Sequence, residues 1–289
     1  MIKNKIVKID GVEIGYNRPI PVIAEIGVNH LGNLSRAKKM VDLANDGGAD
    51  FIKFQTYVAE RRYDLNKNPK AEQFIKLTKE WQLLESEEEE LWTYARKQKA
   101  KIFTSVYDPE TIKFAEKLEN PVYKVAAFEI SNTKLIAELI KTKKPLIISC
   151  GMTNIQEIKK NIKILEENNV DFILLHTVSS YPLQKIHSNL KKIYELKNNF
   201  DCPIGHSDHT PGTEIPPLAV AAGAQIIEKH FTDNPKLRES DNFFSVTEEE
   251  VKEIKFLIDK VKSYMGSDNI EKIETEDFMW NFRRDTRKK

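Results

Sequence analysis

Charged and imidazole side chains stand inside short apolar runs at Glu25, Lys53, Lys124, Asp208, His209, Glu228 and His230. A strand buried on both faces seldom tolerates a charge that has neither a partner nor a task. Two lysines directed into one cavity repel and desolvate each other, so Lys53 and Lys124 predict a multiply charged anion between them, one bearing phosphate and carboxylate. The hydroxyls of Thr104, Ser149 and Ser207 complete that cradle with neutral hydrogen bonds. The alternative makes Lys53 and Lys124 halves of structural ion pairs with Glu25 and Glu129. His209 and His230 end neighbouring runs, and two imidazoles so placed can reach one divalent ion. Glu25 and Asp241 add the oxygen character that suits manganese or magnesium. Acid through the ordinary imidazole range is then expected to release the ion. The competing reading is a pair of hydrogen-bonded core histidines. His176 reads as structural, His187 as surface, and His30 as a residue shaping the rim of a loop.

The elements that must position these residues alternate. Eight apolar runs of strand length, at 21–29, 50–55, 102–106, 122–127, 146–150, 172–178, 204–208 and 225–231, are separated by longer Lys/Glu-rich segments. Those segments repeat apolar residues every three or four positions, as at Ile155, Ile158, Ile162 and Leu165, and at Val251, Ile254, Ile258 and Val261. Parallel strands covered by helices follow, and eight of them close a (β/α)8 TIM barrel whose chemistry lies at the carboxyl ends of the strands. Oxygen acceptors mark helix starts at Asn33 and at Ser86 with Glu89, and the run Glu87 to Glu90 falls in a first turn favoured by the helix dipole. Ile6–Ile9 and Val12–Ile14 flank Asp10-Gly11, a two-residue turn signal, so a hairpin over 6–14 is expected to plug the barrel bottom. The predicted barrel domain spans 1–266, followed by a basic tail over 267–289.

Composition narrows the partners. Lys and Arg total 45 against 44 Asp and Glu in 289 residues, a net charge of +1, so no global field gathers nucleic acid or an acidic membrane. Cys150 and Cys202 both sit in apolar runs, which fits a reducing cytoplasm better than a disulfide framework. Neither the N-terminus nor any internal stretch has the apolar length of a signal core or a bilayer span. A cytoplasmic protein acting on small molecules is the expectation.

The motifs Ile23-Ala24-Glu25-Ile26-Gly27-Val28-Asn29-His30, Ile52-Lys53-Phe54-Gln55-Thr56, Ser179-Ser180-Tyr181-Pro182, Gly205-His206-Ser207-Asp208-His209-Thr210 and Glu228-Lys229-His230-Phe231-Thr232 occur in this order. On them the chain resembles, over nearly its whole length, the sialic acid synthase family, which makes N-acetylneuraminic, legionaminic, pseudaminic and spore-coat nonulosonic acids. The resemblance implies condensation of phosphoenolpyruvate with an N-acetylated hexosamine aldehyde, giving a nonulosonic acid and phosphate. It implies a divalent metal, Mn2+ before Mg2+ or Co2+, on His209 and His230, with Glu25 addressing the ion or its water. It gives phosphoenolpyruvate to Lys53, Lys124, Ser149 and Ser207 with Thr104 assisting, and the sugar to Gln55, Glu129, Ser179, Tyr181 and Asp241. Relatives continue into a small antifreeze-like domain that closes the partner subunit's site, and this sequence ends near its expected start. A homodimer and a separate lid protein are therefore expected as partners. Three departures stand out: Ala127 where a serine of the phosphoenolpyruvate cradle is expected, Thr104-Ser105-Val106-Tyr107 for Ser-Thr-Pro-Phe, and Arg238-Glu239-Ser240-Asp241 for a Gly-Pro-Asp segment. Two alternatives compete: a barrel synthase for a different or phosphorylated sugar aldehyde, and a non-catalytic sugar- or anion-binding barrel.

Overall fold

A computed structural model describes residues 5–63, 65, 69–267 and 269–284. A hairpin, β1 (Val7–Ile9) and β2 (Val12–Ile14), precedes eight barrel strands: β3 (Val22–Gly27), β4 (Phe51–Gln55), β5 (Ile102–Ser105), β6 (Tyr123–Val125), β7 (Leu146–Ser149), β8 (Phe172–Thr177), β9 (Ile204–Asp208) and β10 (Ile227–His230). All eight pair in parallel, and β10 pairs with β3 to close the barrel. The expected strands are present, each trimmed by zero to two residues per end where the chain turns toward its loop.

Each barrel strand alternates. Ile23, Phe51, Phe103, Ile147, Ile173 and Ile226 point to the axis, and the hairpin residues Val7, Ile9 and Ile14 pack onto them as the floor. The expected plug is therefore formed. Its turn holds Asp10 and Gly11 at φ 43° and 80°, the doubly left-handed geometry of a tight hairpin. The opposite strand faces meet the helices in a larger cluster that includes Ile158, Ile162, Leu165, Val251, Ile254 and Ile258. The last barrel helix covers Glu248–Met265 and is capped by Thr247, whose N–H donates to Glu250 at 2.8 Å. Residues 267 and 269–284 are exposed, and a 3-10 turn, Glu274–Glu276, leads into a short α-helix, Asp277–Trp280. Residues 285–289 of the predicted tail lie outside the described residues.

One cap differs from its sequence reading. The helix expected to start at Ser86 starts at Glu85, and the Glu87 carboxylate takes the N–H of Leu84 at 2.8 Å, not Glu89 that of Ser86. The N-cap thus lies at Leu84, and Glu88 in the first turn is buried. There it accepts a 2.6 Å hydrogen bond from the Thr56 hydroxyl, which also lies 2.9 Å from Thr104 Oγ1. Burial pushes the Glu88 carboxyl up to about 8, outweighing the hydrogen bond from Thr56. The folded protein thus keeps a proton that the unfolded chain releases near 4.5, and stability from this group falls as pH rises from there toward 8. Glu88→Gln should leave the melting temperature nearly unchanged at pH 5 and raise it relative to wild type at pH 8.5. A melting difference that does not change between those pH values would contradict the assignment.

Candidate active site

The axis positions beyond the apolar floor line a cavity of about 610 Å3 at the carboxyl end of the barrel. Following the same alternation, Glu25, Lys53, Gln55, Ser105, Lys124, Ser149, Thr177, Ser207, His209, Glu228 and His230 all enter it. Loop residues Arg62, Tyr107, Phe128, Ser179, Tyr181 and Asp241 form its walls and mouth. Gly27 makes room at the first strand end: it stands at φ 57° beside a register shift, and a Cβ there would meet Glu25 Oε1 at 3.0 Å.

Two lysines and two carboxylates meet on the floor. Lys53 Nζ is 2.7 Å from Glu25 and 3.7 Å from Glu228, while Lys124 Nζ is 3.8 Å from Glu228 and 2.6 Å from Ser149 Oγ. The lysines are therefore not unpaired, as the sequence argument required: Glu228 stands between them, and Glu25 pairs with Lys53 as the structural-pair reading expected. Glu129 pairs with neither. It sits outside the cavity lining, and its carboxylate accepts from Asn132 at 2.6 Å. Burial works to lower the Lys53 ammonium, yet Glu228 and Glu25 outweigh it and raise it. Lys124, with only Glu228 close, is drawn down by burial to about 8. Burial would raise Glu228, but the two lysines hold it below the usual carboxylate range. Glu25 goes the other way, lifted to about 7 by burial and by the Glu228 charge against the pull of Lys53.

Thr104 is not part of the cradle. Its hydroxyl faces the helices, accepting the Thr56 N–H at 2.9 Å, while Ser105 faces the cavity and accepts from Lys53 at 3.3 Å. Phe103 in the floor already sets this parity, since the residue two further on shares its face. The same rule removes Asp208 from the chemistry. Lys229, one position off the inward row, reaches Asp208 Oδ2 at 2.7 Å and the Thr210 carbonyl, sealing an ion pair behind the wall. His176 and His206 are stacked on that outer side, 5.2 Å between centroids, and His176 bonds the Ser188 carbonyl as a structural residue. His187 is exposed, and His30 accepts the Gly32 N–H in the first loop.

His209 and His230 face each other with centroids 5.3 Å apart. The His209 Nδ1–H donates to the Val178 carbonyl at 2.9 Å, which leaves Nε2 with its lone pair. Burial, against that hydrogen bond, lowers His209 to about 4, so the ordinary window near 6.5 does not govern it. His230 Nδ1 is buried without a hydrogen-bond partner, 3.6 Å from Asp241 Oδ2. Two neutral imidazoles with free lone pairs fit half of a metal shell. Among the described residues no group of three or more His, Cys, Asp or Glu is arranged to hold a metal ion, so the two imidazoles by themselves make an incomplete shell. Asp241 is itself positioned: its N–H donates to Asn29 Oδ1 at 3.0 Å, and neighbouring Asn242 accepts from Arg36 at 2.9 Å. Ser240 before it has φ 54°, which proline cannot adopt, so this loop departs in shape from a Gly-Pro-Asp segment.

Among the described residues no helix is long and apolar enough to cross a membrane. A closed parallel barrel with charged and imidazole groups converging at its carboxyl end is the arrangement of a TIM-barrel enzyme. The sequence pattern of the NeuB family matches residues 40–270. The chain is 33% identical over 263 residues to an N,N'-diacetyllegionaminic acid synthase of Campylobacter jejuni, covering 87% of this chain and 78% of that one. It is 37% identical over 262 residues to an uncharacterized protein of Methanocaldococcus jannaschii, covering 90% of this chain and 76% of that protein. The crystal structure of N-acetylneuraminic acid (sialic acid) synthetase from Leptospira borgpetersenii, solved with citrate, superposes with a TM-score of 0.92 at 32% identity over 99% of both chains. The chain belongs to the NeuB family and is an enzyme of its synthase class.

Asp208 lies between two chemically tempting neighbours, yet its role is structural. Lys229→Met should strand the Asp208 carboxylate in the wall and destabilise the fold by about 3–5 kcal/mol. Urea denaturation measures this, and a loss below about 1 kcal/mol would mean that the pair is solvated.

Proposed function

We propose that the chain joins phosphoenolpyruvate to an N-acylated hexosamine in its open-chain aldehyde form, yielding a nonulosonic acid and inorganic phosphate. The observation that carries this reading is the floor of the cavity, where Lys53 and Lys124 converge with Ser149 and Ser207 beside a facing pair of neutral imidazoles. The NeuB-family relatives named as nonulosonic acid synthases support it.

Phosphoenolpyruvate exchanges one set of anionic contacts for another: its phosphate and carboxylate take the lysine N–H donors that Glu228 and Glu25 share without substrate. Ser105, Ser149 and Ser207 add neutral donors, and Ala127 leaves one wall without a hydroxyl. Gln55, Tyr181 and Asp241 meet the sugar. The C3 end of the enol double bond forms the new bond to the aldehyde carbon, whose oxygen takes up a proton. Water adds at C2, losing one proton to leave a C2 hydroxyl, and that hydroxyl gives its remaining proton to phosphate as the C2–O bond to phosphate breaks and the ketone forms. Glu25, near 7, is suited to give or take these protons at neutral pH. His209 and His230, with Asp241 beside them, would hold a divalent ion, manganese before magnesium or cobalt. When bound, such an ion supplies Lewis-acid polarisation of the aldehyde carbonyl.

Phosphate release from phosphoenolpyruvate, assayed over a panel of N-acylated and non-acylated hexoses, tests the reaction. Tight phosphoenolpyruvate binding without release for any sugar would leave only a binding barrel. Lys53→Ala and Lys124→Ala should each raise the KM for phosphoenolpyruvate by a factor corresponding to about 1.5–3 kcal/mol, the worth of a charge-assisted hydrogen bond. Chelation should abolish turnover, and so should His209→Ala or His230→Ala in a barrel that still melts cooperatively. Full activity in metal-free protein moves both histidines from metal binding to proton transfer.

A further inference from the structure

Among the described residues that line the cavity, Thr177, Ser179, His230 and Arg62 each keep a buried polar atom without a hydrogen-bond partner, and Arg62 is the one that belongs to no barrel strand or metal candidate and carries a permanent charge. Arg62 ends the short helix Ala59–Arg62, and its guanidinium carbon sits 4.7 Å from the ring centroids of both Tyr57 and Tyr107. Its Nη2 donates to Gln55 Oε1 at 3.0 Å, and the Tyr107 hydroxyl donates to the same oxygen at 3.1 Å. Gln55 in turn donates to Glu25 at 2.8 Å. The rotamer is thus fixed by two rings and one hydrogen bond. Yet Nε is buried without any acceptor, in a cavity that Arg62 lines. A buried N–H left unpaired is unfavourable, so it marks a place where a ligand oxygen belongs.

The surroundings define that oxygen. Tyr63 and Phe74 pack together beside Arg62 at 6.4 Å between centroids, and Phe128 stacks on Tyr107 at 5.9 Å, so the donor opens onto an aromatic wall. Asp241 and Glu129 lie within the field of the guanidinium, but burial raises both carboxyls against its pull, so the positive charge here is already matched by acidic groups. A neutral carbonyl bearing a small apolar group matches an N–H donor that borders aromatic rings with two acidic groups nearby. A phosphoryl group does not.

We infer that Arg62 is a specificity residue whose Nε–H receives the acyl carbonyl of an N-acylated sugar while the acyl methyl packs on the Tyr63, Phe74 and Phe128 side. The inference deepens the proposed reaction and rests on it only for the identity of the sugar. Its test therefore reads binding as well as turnover. Calorimetry in the presence of phosphoenolpyruvate compares N-acetylmannosamine, its 6-phosphate and mannose on wild type, Arg62→Ala and Arg62→Gln, the glutamine guarding against misfolding of the smaller variant.

Wild type should bind N-acetylmannosamine more tightly than mannose, and Arg62→Ala should weaken the former roughly 10- to 100-fold while leaving mannose and phosphoenolpyruvate within about twofold. Arg62→Gln, which keeps an amide N–H, should recover part of the preference. Arg62→Lys should not, because an ammonium cannot present an edge between two rings. In turnover the loss should fall on the KM for the acylated sugar. Equal weakening of mannose and N-acetylmannosamine would overturn the inference, since it would mean that Arg62 merely positions Gln55. So would a wild-type preference for the 6-phosphate that Arg62→Ala removes, or no binding of the acylated sugar at all. Arg62-dependent sugar binding without phosphate release would sink the synthase reading and leave this inference standing.

Discussion

A side chain on a closed barrel strand has two directions available, toward the axis or toward the helices, and consecutive residues must take opposite ones. The functional arrangement of this protein descends from that constraint. Once Ile23, Phe51, Phe103, Ile147, Ile173 and Ile226 fill the floor on the hairpin, the positions two further along each strand are committed to the space above it. Glu25, Lys53, Ser105, Ser149 and Glu228 therefore converge without any loop having to carry them there. The intervening row is equally committed. Behind the wall Thr104 accepts from the Thr56 N–H, His206 stacks on His176, and Asp208 pairs with Lys229. That outer polar layer orders the strand ends, so two kinds of buried polar residue, one structural and one chemical, interleave along the same strands.

Convergence creates an electrostatic problem that the inner row solves by composition. Two ammonium groups in one water-poor cavity raise each other's cost, and two carboxylates do the same. Placed together, with Glu228 close to both lysines and Glu25 on Lys53, they hold one another in position. The balance is uneven. Glu228 has two cations and is held below the usual carboxylate range, while Glu25 shares one of them and feels the Glu228 charge, so it is the carboxyl of the pair that rests near neutrality. A pre-formed site of this kind offers an incoming anion donors already aimed at it, with carboxylates for it to displace from contact.

Much of this was legible in the sequence because it is periodic. Strand number, the hairpin turn at Asp10-Gly11 and the helix faces all followed from spacings of two or three to four. Charge in an apolar run marked the inner residues, and the motifs around Glu25, Lys53, His209 and His230 marked the family. Parity was the signal left unread: counting from Phe103 would have exchanged Thr104 for Ser105, and counting from Ile226 would have added Glu228 to the site. Pairing could not be counted. That Glu228 would stand between the lysines, or that Glu129 would turn to Asn132, depends on the barrel's curvature and on loop geometry beyond any local pattern. Arg62 was hidden for the same reason, in a loop of charged residues where an arginine ordinarily points to water.

The uneven balance on the floor also couples binding to proton supply. An anion entering between Lys53 and Lys124 draws on the same positive field that keeps Glu25 partly ionised, and it adds negative charge of its own. Both effects act on the Glu25 carboxyl in one direction, raising its affinity for a proton. Its connection through Gln55 to Arg62 does not offset this, since Gln55 is a neutral relay and the guanidinium is turned toward the tyrosines. In the reaction proposed above, Glu25 would therefore reach the loaded state carrying the proton that a developing alkoxide needs.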